Sequence, residues 1–323
     1  MFRTTRLMIL VCVLTLSAGP LMAAQMLLVG DTTNERVLSY DLDGNFLGTF
    51  ATGYKPGGLA YNPTDGYVYI ADTTSSSGNN AINRYTLGGS FVDTYFTSSS
   101  TTRVDMLAVA PDGSVYFSDA FGTKQIYKVT GATTASTFVT NTFSDPGNNA
   151  GDDTLNVPRG IVFDSSGNLY LADRGDTRVL KFDSSGDLID VLATGQTNTQ
   201  GITIGSNGNL YHSVEGGGTN FLVRERQTDG TFVANIPGLS TGNEFSVGVA
   251  VADNGDVYLA GFTDQLVYKY DVSNSNAGTS FGPAQSLGRP LDLLIVTIPT
   301  PAALPAGLSL FGVLLLGRRS NRN

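Results

Sequence analysis

Between Pro158 and Thr194 the chain reads PRGIVFDSSGNLYLADRGDTRVLKFDSSGDLIDVLAT, four short apolar runs separated by small and polar residues. The runs, Gly160–Phe163, Leu169–Ala172, Val179–Phe182 and Leu188–Leu192, are rich in β-branched and aromatic side chains. Each is bounded by Asp, Ser, Gly or Asn. That pattern predicts four strands joined by tight turns. In the separators DSSGN and DSSGD, Gly167 and Gly186 can supply the positive φ of a hairpin, and the neighbouring Asp or Asn can bond its own backbone. The unit is therefore a four-stranded antiparallel meander, which cannot bury both faces alone.

It recurs. Positions equivalent to Tyr170 are Leu28, Tyr69, Tyr116, Tyr211 and Tyr258, giving spacings of 41, 47, 54, 41 and 47 residues along the chain. Such a period corresponds to one propeller blade per repeat. First strands precede five of the six, at Gly57, Met106, Gly160, Gly201 and Gly248, and the fifth and sixth repeats are degenerate. The first repeat lacks its own, and the last run, RPLDLLIVT from Arg289, lacks a second. A chain that begins at strand two and ends at strand one closes a ring by pairing its ends. The expected fold is all-β, a six-bladed β-propeller over residues 25–297. The insertion TNTFSDPGNNAGDDTLN, Thr140 to Asn156, accounts for the longest spacing and is expected to be a loop on the face where first strands begin.

Both ends depart from this pattern. Residues 1–24 have a basic start (Arg3, Arg6), the apolar run LMILVCVLTL and small residues at Ala23 and Ala24, the parts of a secretory signal. Residues 298–323 carry Pro299-Thr300-Pro301, about 16 apolar or small residues and then Arg318, Arg319 and Arg322, a short apolar helix with a basic cytoplasmic end. This tail resembles the PEP-CTERM sorting signal of Gram-negative bacteria, with Thr300 where glutamate usually stands. The resemblance implies an exosortase-like sorting enzyme as partner, a precursor anchored in the inner membrane, and a mature form released to or attached at the cell surface or its matrix.

Composition narrows the chemistry. The one cysteine, Cys12, lies in the leader, so the exported part has no disulfide, catalytic thiol or thiolate metal site. Without Arg3, Arg6, Arg318, Arg319 and Arg322 it keeps 14 basic against 28 acidic residues, near −14, which opposes nucleic acid as a partner.

The repeat pattern, Pro-x-Gly before an apolar strand, a DG or SGN turn, then LYLAD and RVLKFD, resembles the NHL-repeat and gluconolactonase-like six-bladed propellers. In the gluconolactonase-like enzymes the resemblance implies a divalent metal held by Glu, Asn and Asp just before the first strands. The matching positions here are Leu291, Gly57, Asp105, Arg159, Gln200 and Val247. A single carboxylate is too few for Ca²⁺, which takes six to eight oxygens, and Arg159 is expected to pair with Asp105 instead. No metal or other cofactor is expected. If the chain is an enzyme, Asp105, Arg159 and Gln200 are its candidate residues. The single histidine, His212, falls inside a strand and cannot supply the imidazoles of a zinc site. Asp31, Asp72, Asp119 and Asp173 end the second strand at one register in four repeats, which suits turn stabilisation rather than catalysis. The Asp41–Asn45 and Asp253–Asp256 segments lack the glutamate that closes a calcium loop and read as turns. In the long insertion Asp145, Asp152 and Asp153 mark a candidate binding loop. The favoured function is a non-enzymatic binding or matrix module with a protein or glycan ligand at the cell surface; the alternative is a divergent lactonase-like hydrolase.

Overall fold

The computed structural model describes residues 24–73, 80–98, 102–144, 153–215, 221–237, 246–271, 278–281 and 286–298. Residues 1–23 of the expected leader, residues 299–323 of the expected sorting segment with Pro299, Thr300, Pro301, Arg318 and Arg319, and the loop acids Asp145 and Asp152 lie outside them. Residues Gln25–Val296 form one compact unit.

That unit contains six four-stranded sheets. Blade four is built from Pro158–Phe163, Leu169–Asp173, Arg178–Phe182 and Leu188–Ala193, all antiparallel, with Ile161 opposite Leu171 and Leu171 opposite Leu180. Alternation along its second strand explains why that strand is buried throughout. Leu169 and Leu171 pack with Ala108 and Tyr116 of blade three, while Tyr170 and Ala172 pack with Ile202 and Leu210 of blade five. Both faces are therefore core, and burying one such leucine is worth about 2 kcal/mol. The turns follow their chemistry. Asp164 Oδ1 accepts hydrogen bonds from Ser166 N and Asn168 N, both at 2.9 Å, and Gly167 has φ +84°. The Asp41–Asn45 segment is a turn of the same kind, with Asp41 Oδ1 accepting from Asp43 N and Asn45 N.

Blade one carries the closure. Its strands Ala24–Asp31, Arg36–Tyr40 and Phe46–Thr52 are completed on the channel side by Pro290–Ile298, the last strand described. Thr32 N donates to Arg289 O at 3.1 Å, and Leu27, Val29 and Leu293 share a core with Ala250 and Ala260 of blade six. Blades five and six, degenerate in sequence, are nevertheless complete four-stranded sheets. The long insertion is partly ordered by pairing: Thr142–Phe143 and Asp153–Thr154 form a two-stranded ribbon, so its described ends are strand rather than open loop.

The first strands approach one another closely around the axis. Gly58 N donates to Asp105 O at 2.7 Å and Gly160 N to Gln200 O at 2.8 Å. A Cβ on Gly160 would stand 2.4 Å from that same Gln200 oxygen. Glycine after the Pro-x or x-Gln dipeptide is thus required by the narrowness of the ring.

Candidate functional site

First strands begin, and second strands end, on the same face, because the two pair antiparallel with Pro158 opposite Asp173. This face surrounds the channel mouth. Asp105 and Arg159, from adjacent blades, meet there: Arg159 Nη1 donates to Asp105 Oδ2 at 2.7 Å and to Oδ1 at 3.0 Å. Both residues are buried, as is Gln200. Burial pushes the Asp105 carboxyl upward, and the Arg159 guanidinium opposes that shift. The Nε of Arg159 is buried with no hydrogen-bond partner among the described residues.

Two adjoining cavities open at this mouth. One, about 340 Å³, is lined by Thr73, Arg103, Asp105, Phe121 and Leu291 among others. The second, about 230 Å³, is lined by Arg159, Arg174, Gln200, Val247, Phe262 and again Phe121 and Leu291. The Arg159 guanidinium carbon lies 5.6 Å from the centre of the Phe121 ring, and that of Arg289 lies 5.2 Å from the Phe262 ring, within cation–π range. Arg174 donates to Asn198 Oδ1 at 3.4 Å, and burial with the nearby charge of Arg159 lowers its proton affinity.

Below the mouth, a channel cavity of about 170 Å³ is walled by the first strands and holds Asp292. Its Oδ2 accepts from Leu59 N at 2.8 Å. Burial raises its pKa to about 7 despite hydrogen bonds from the Leu59 and Leu293 backbone and the charge of Arg159. Sequence reasoning stopped one residue short, at Leu291.

The implied divalent metal does not fit these residues. Asp105 has both oxygens engaged by a guanidinium, and Leu291, Gly57 and Val247 offer no side-chain oxygen. No group of three or more His, Cys, Asp or Glu residues suited to a metal occurs among the described residues.

Three of the strand-ending acids, Asp31, Asp119 and Asp173, act on backbone or on arginine. Asp31 Oδ1 accepts from Gly288 N and Arg289 N, tying the closing strand to blade one. Asp119 accepts from Gly122 N and Thr123 N, shaping the turn that presents Phe121. Asp173 accepts from Asn156 N and pairs with Arg178 at 3.2 Å, and burial raises its pKa to about 6. The same Arg178 reaches Asp176 at 3.2 Å and Asp153 at 3.5 Å. The one described acid of the candidate binding loop is therefore part of an ion-pair cluster beneath the insertion. His212 is fully buried: Arg226 Nε donates to its Nε2 at 3.3 Å, so Nδ1 carries the proton and faces Thr199 Oγ1 at 3.2 Å. Burial, and after it the charges of Arg226 and Arg224, hold its pKa near 3. It is a neutral packing residue.

Residues 155–182, the last two residues of the insertion and the first three strands of blade four, match the NHL repeat. No curated protein sequence matches the chain. Among solved structures, a chain of the nidogen/laminin complex is similar over 85% of this chain and 100% of its own, with 19% identity and a TM-score of 0.66. TolB from Acinetobacter baumannii is similar over 84% of this chain and 66% of its own, with 13% identity and a TM-score of 0.63. The gluconolactonase XC5397 from Xanthomonas campestris is similar over 74% and 84%, with 18% identity and a TM-score of 0.54. At these identities the likeness is one of fold: an NHL-repeat-containing six-bladed propeller with lactonase-like structural neighbours.

Proposed function

We propose that this chain is an exported, non-enzymatic propeller that binds a protein or glycan at the cell surface or in the extracellular matrix, delivered there by an exosortase-like sorting enzyme acting on the PEP-CTERM-like tail. One observation carries the binding half of this reading: the position where a catalytic propeller would place metal-ligating oxygens is filled by the buried Asp105–Arg159 ion pair. A second cation there would lose its only carboxylate to a guanidinium and meet that guanidinium's charge. What remains at the mouth is a concave, partly aromatic surface rimmed by loops, the usual place for ligand contacts on a rigid scaffold. Export is supported by the leader-like and tail-like segments of the sequence.

The test is to isolate the protein from the surface or medium of a host that has the sorting enzyme. Bound Ca²⁺ and Zn²⁺, lactone and ester hydrolysis, and retention on the cells' own surface polysaccharide and protein are then measured. Retention without turnover is expected. Lactone hydrolysis that is lost in Asp105→Ala would replace this reading with the hydrolase.

A further inference from the structure

We infer that the cleft between blades three and four, on the face opposite the channel mouth, is a docking site for a partner polypeptide. It seats a leucine-type side chain against Tyr116 and Phe163 and takes that residue's main-chain carbonyl on Lys128. The site stands apart from the mouth, so the inference goes beyond the reading proposed above.

The ground is a likeness between positions within the chain. Third strands end on this face, and at one register along them stand Lys128, Lys181 and Lys269, the ladder partners of Tyr116, Tyr170 and Tyr258 on the second strands. Each ammonium lies over its tyrosine, 5.5, 5.3 and 5.9 Å from the ring centre, within cation–π range. For two of the three the next blade completes the arrangement. Lys269 Nζ donates to Leu42 O at 2.8 Å and Tyr258 OH to the same oxygen at 2.7 Å, while the Leu42 side chain packs on the core of blades six and one. Lys181 Nζ donates to Thr228 O at 3.2 Å. Leu42 and Thr228 are the second residues of matching turns, closed by Gly44 N on Asp41 O and Gly230 N on Gln227 O.

The third cleft is open. Its turn has the same closing bond, from Gly186 N to Asp183 O, which puts Ser184 where Leu42 and Thr228 stand. Those two are half-buried, and Ser184 is exposed. Lys128 Nζ meets no carbonyl among the described residues; its ionic partner is Asp112 at 3.5 Å, and 35% of its side chain stays exposed to an incoming group. Between the two blades lies a cavity of about 290 Å³, lined by Tyr116, Phe163, Lys128, Asp112, Ser166 and Ser184 among others. The Tyr116 ring is 4.6 Å from that of Phe163 and 5.0 Å from that of Phe138, a fixed aromatic wall.

The filled clefts specify the occupant of the open one. Both give their lysine a main-chain carbonyl, and the cleft of blades six and one adds a leucine side chain against the tyrosine. An aliphatic side chain joined to such a carbonyl is a property of polypeptide. The next residue, Asp43, reaches the same Lys269 at 3.4 Å although Asp256 already stands 3.2 Å away. A Leu-Asp pair therefore suits a lysine that has a carboxylate neighbour, as Lys128 has in Asp112. Docking removes a leucine side chain from water and gives a charged donor its acceptor, the kind of single anchor in a pocket that dominates an interface.

The experiment follows fluorescence anisotropy of a labelled, end-blocked peptide Asp-Leu-Asp-Gly-Asn, the sequence of residues 41–45, titrated with the full chain. Its Asp-Ser-Asp-Gly-Asn counterpart and, as a competitor, N-acetylglucosamine are tested beside it. Thermal unfolding shows that each variant is folded. The leucine peptide should bind one to one and the serine peptide about tenfold more weakly. Lys128→Met should weaken the leucine peptide by about tenfold, and Lys181→Met should leave it unchanged. Ser184→Leu supplies the missing side chain from within, so it should abolish binding and raise the unfolding temperature by about 2 °C or more. Equal affinity for the two peptides, displacement by N-acetylglucosamine at peptide-like concentration, or equal losses in Lys128→Met and Lys181→Met would overturn the inference. So would folded protein that binds no leucine peptide, or a Ser184→Leu protein that binds it as the unsubstituted chain does.

Discussion

Asp292 Oδ2 accepts a 2.8 Å hydrogen bond from the backbone N–H of Leu59, so a carboxyl on the closing strand holds the first strand of blade two. The bond crosses from the end of the chain to near its beginning, inside the channel. Its pKa, about 7, lies above the ordinary 3.8 because burial outweighs those N–H bonds. The folded protein therefore holds a proton on this group that the unfolded chain has released. Stability from Asp292 is fully present below about pH 4 and is lost as pH rises toward 7. Denaturant titrations across that window should show a downward slope that is shallower in Asp292→Asn, the remainder coming from the raised carboxyls of Asp173 and Asp105. Identical slopes would remove Asp292 as the source.

Truncation before Pro290 should unfold the propeller. It removes the channel-side strand of blade one and the Leu293 contacts, and leaves Ala24–Asp31 as a bare edge. Circular dichroism during heating checks this, and a cooperative transition at the full-length temperature would contradict the closure's importance.

Gly160→Ala should destabilise by about 2 kcal/mol or more, since an added Cβ sits 2.4 Å from Gln200 O and the inner strands must separate. The effect should reach the mouth, because Arg159 is the preceding residue. Urea unfolding measures it; a change within about 0.5 kcal/mol, the scale of ordinary surface substitutions, would show that the ring can widen freely.

If the tail is a sorting signal, protein recovered from the cell surface or medium should end near Pro301. Intact-mass spectrometry decides, and finding Asn323 on that material would rule out processing.

The repeats were legible because a propeller blade writes its register into turns. Asp164, Gly167 and Asn168 fix a hairpin by bonds within five residues, and that signal survives in any blade that keeps it. Closure was legible for a topological reason, a first repeat lacking strand one and a last run lacking strand two. Asp105, Arg159 and Gln200 were found by aligning the starts of first strands. The mouth is lined equally by the ends of second strands, and carrying the same alignment past Asp173 would have reached Arg174 and, two blades on, Phe262. Phe121, one place further along, depends on the Asp119 turn. Asp292 was hidden because one acid within RPLDLLIVT reads as an ordinary outward-facing residue; only the channel makes it inward-facing. The ribbon Thr142–Phe143 with Asp153–Thr154 was hidden by the Gly and Asn content between its strands.

The placement of the closing strand also sets an order of events. Contacts within a blade such as Pro158–Ala193 join residues near in sequence, whereas Asp31 to Arg289 and Leu59 to Asp292 span 258 and 233 residues. Ring closure carries the loop-entropy cost of nearly the whole domain and is the slow kind of contact that limits the folding rate. During vectorial synthesis, five blades can mature while blade one waits three-stranded, its edge exposed until residues 290–298 arrive. The ring stays open for most of the protein's birth, and the last of the described strands to emerge is the one that locks it.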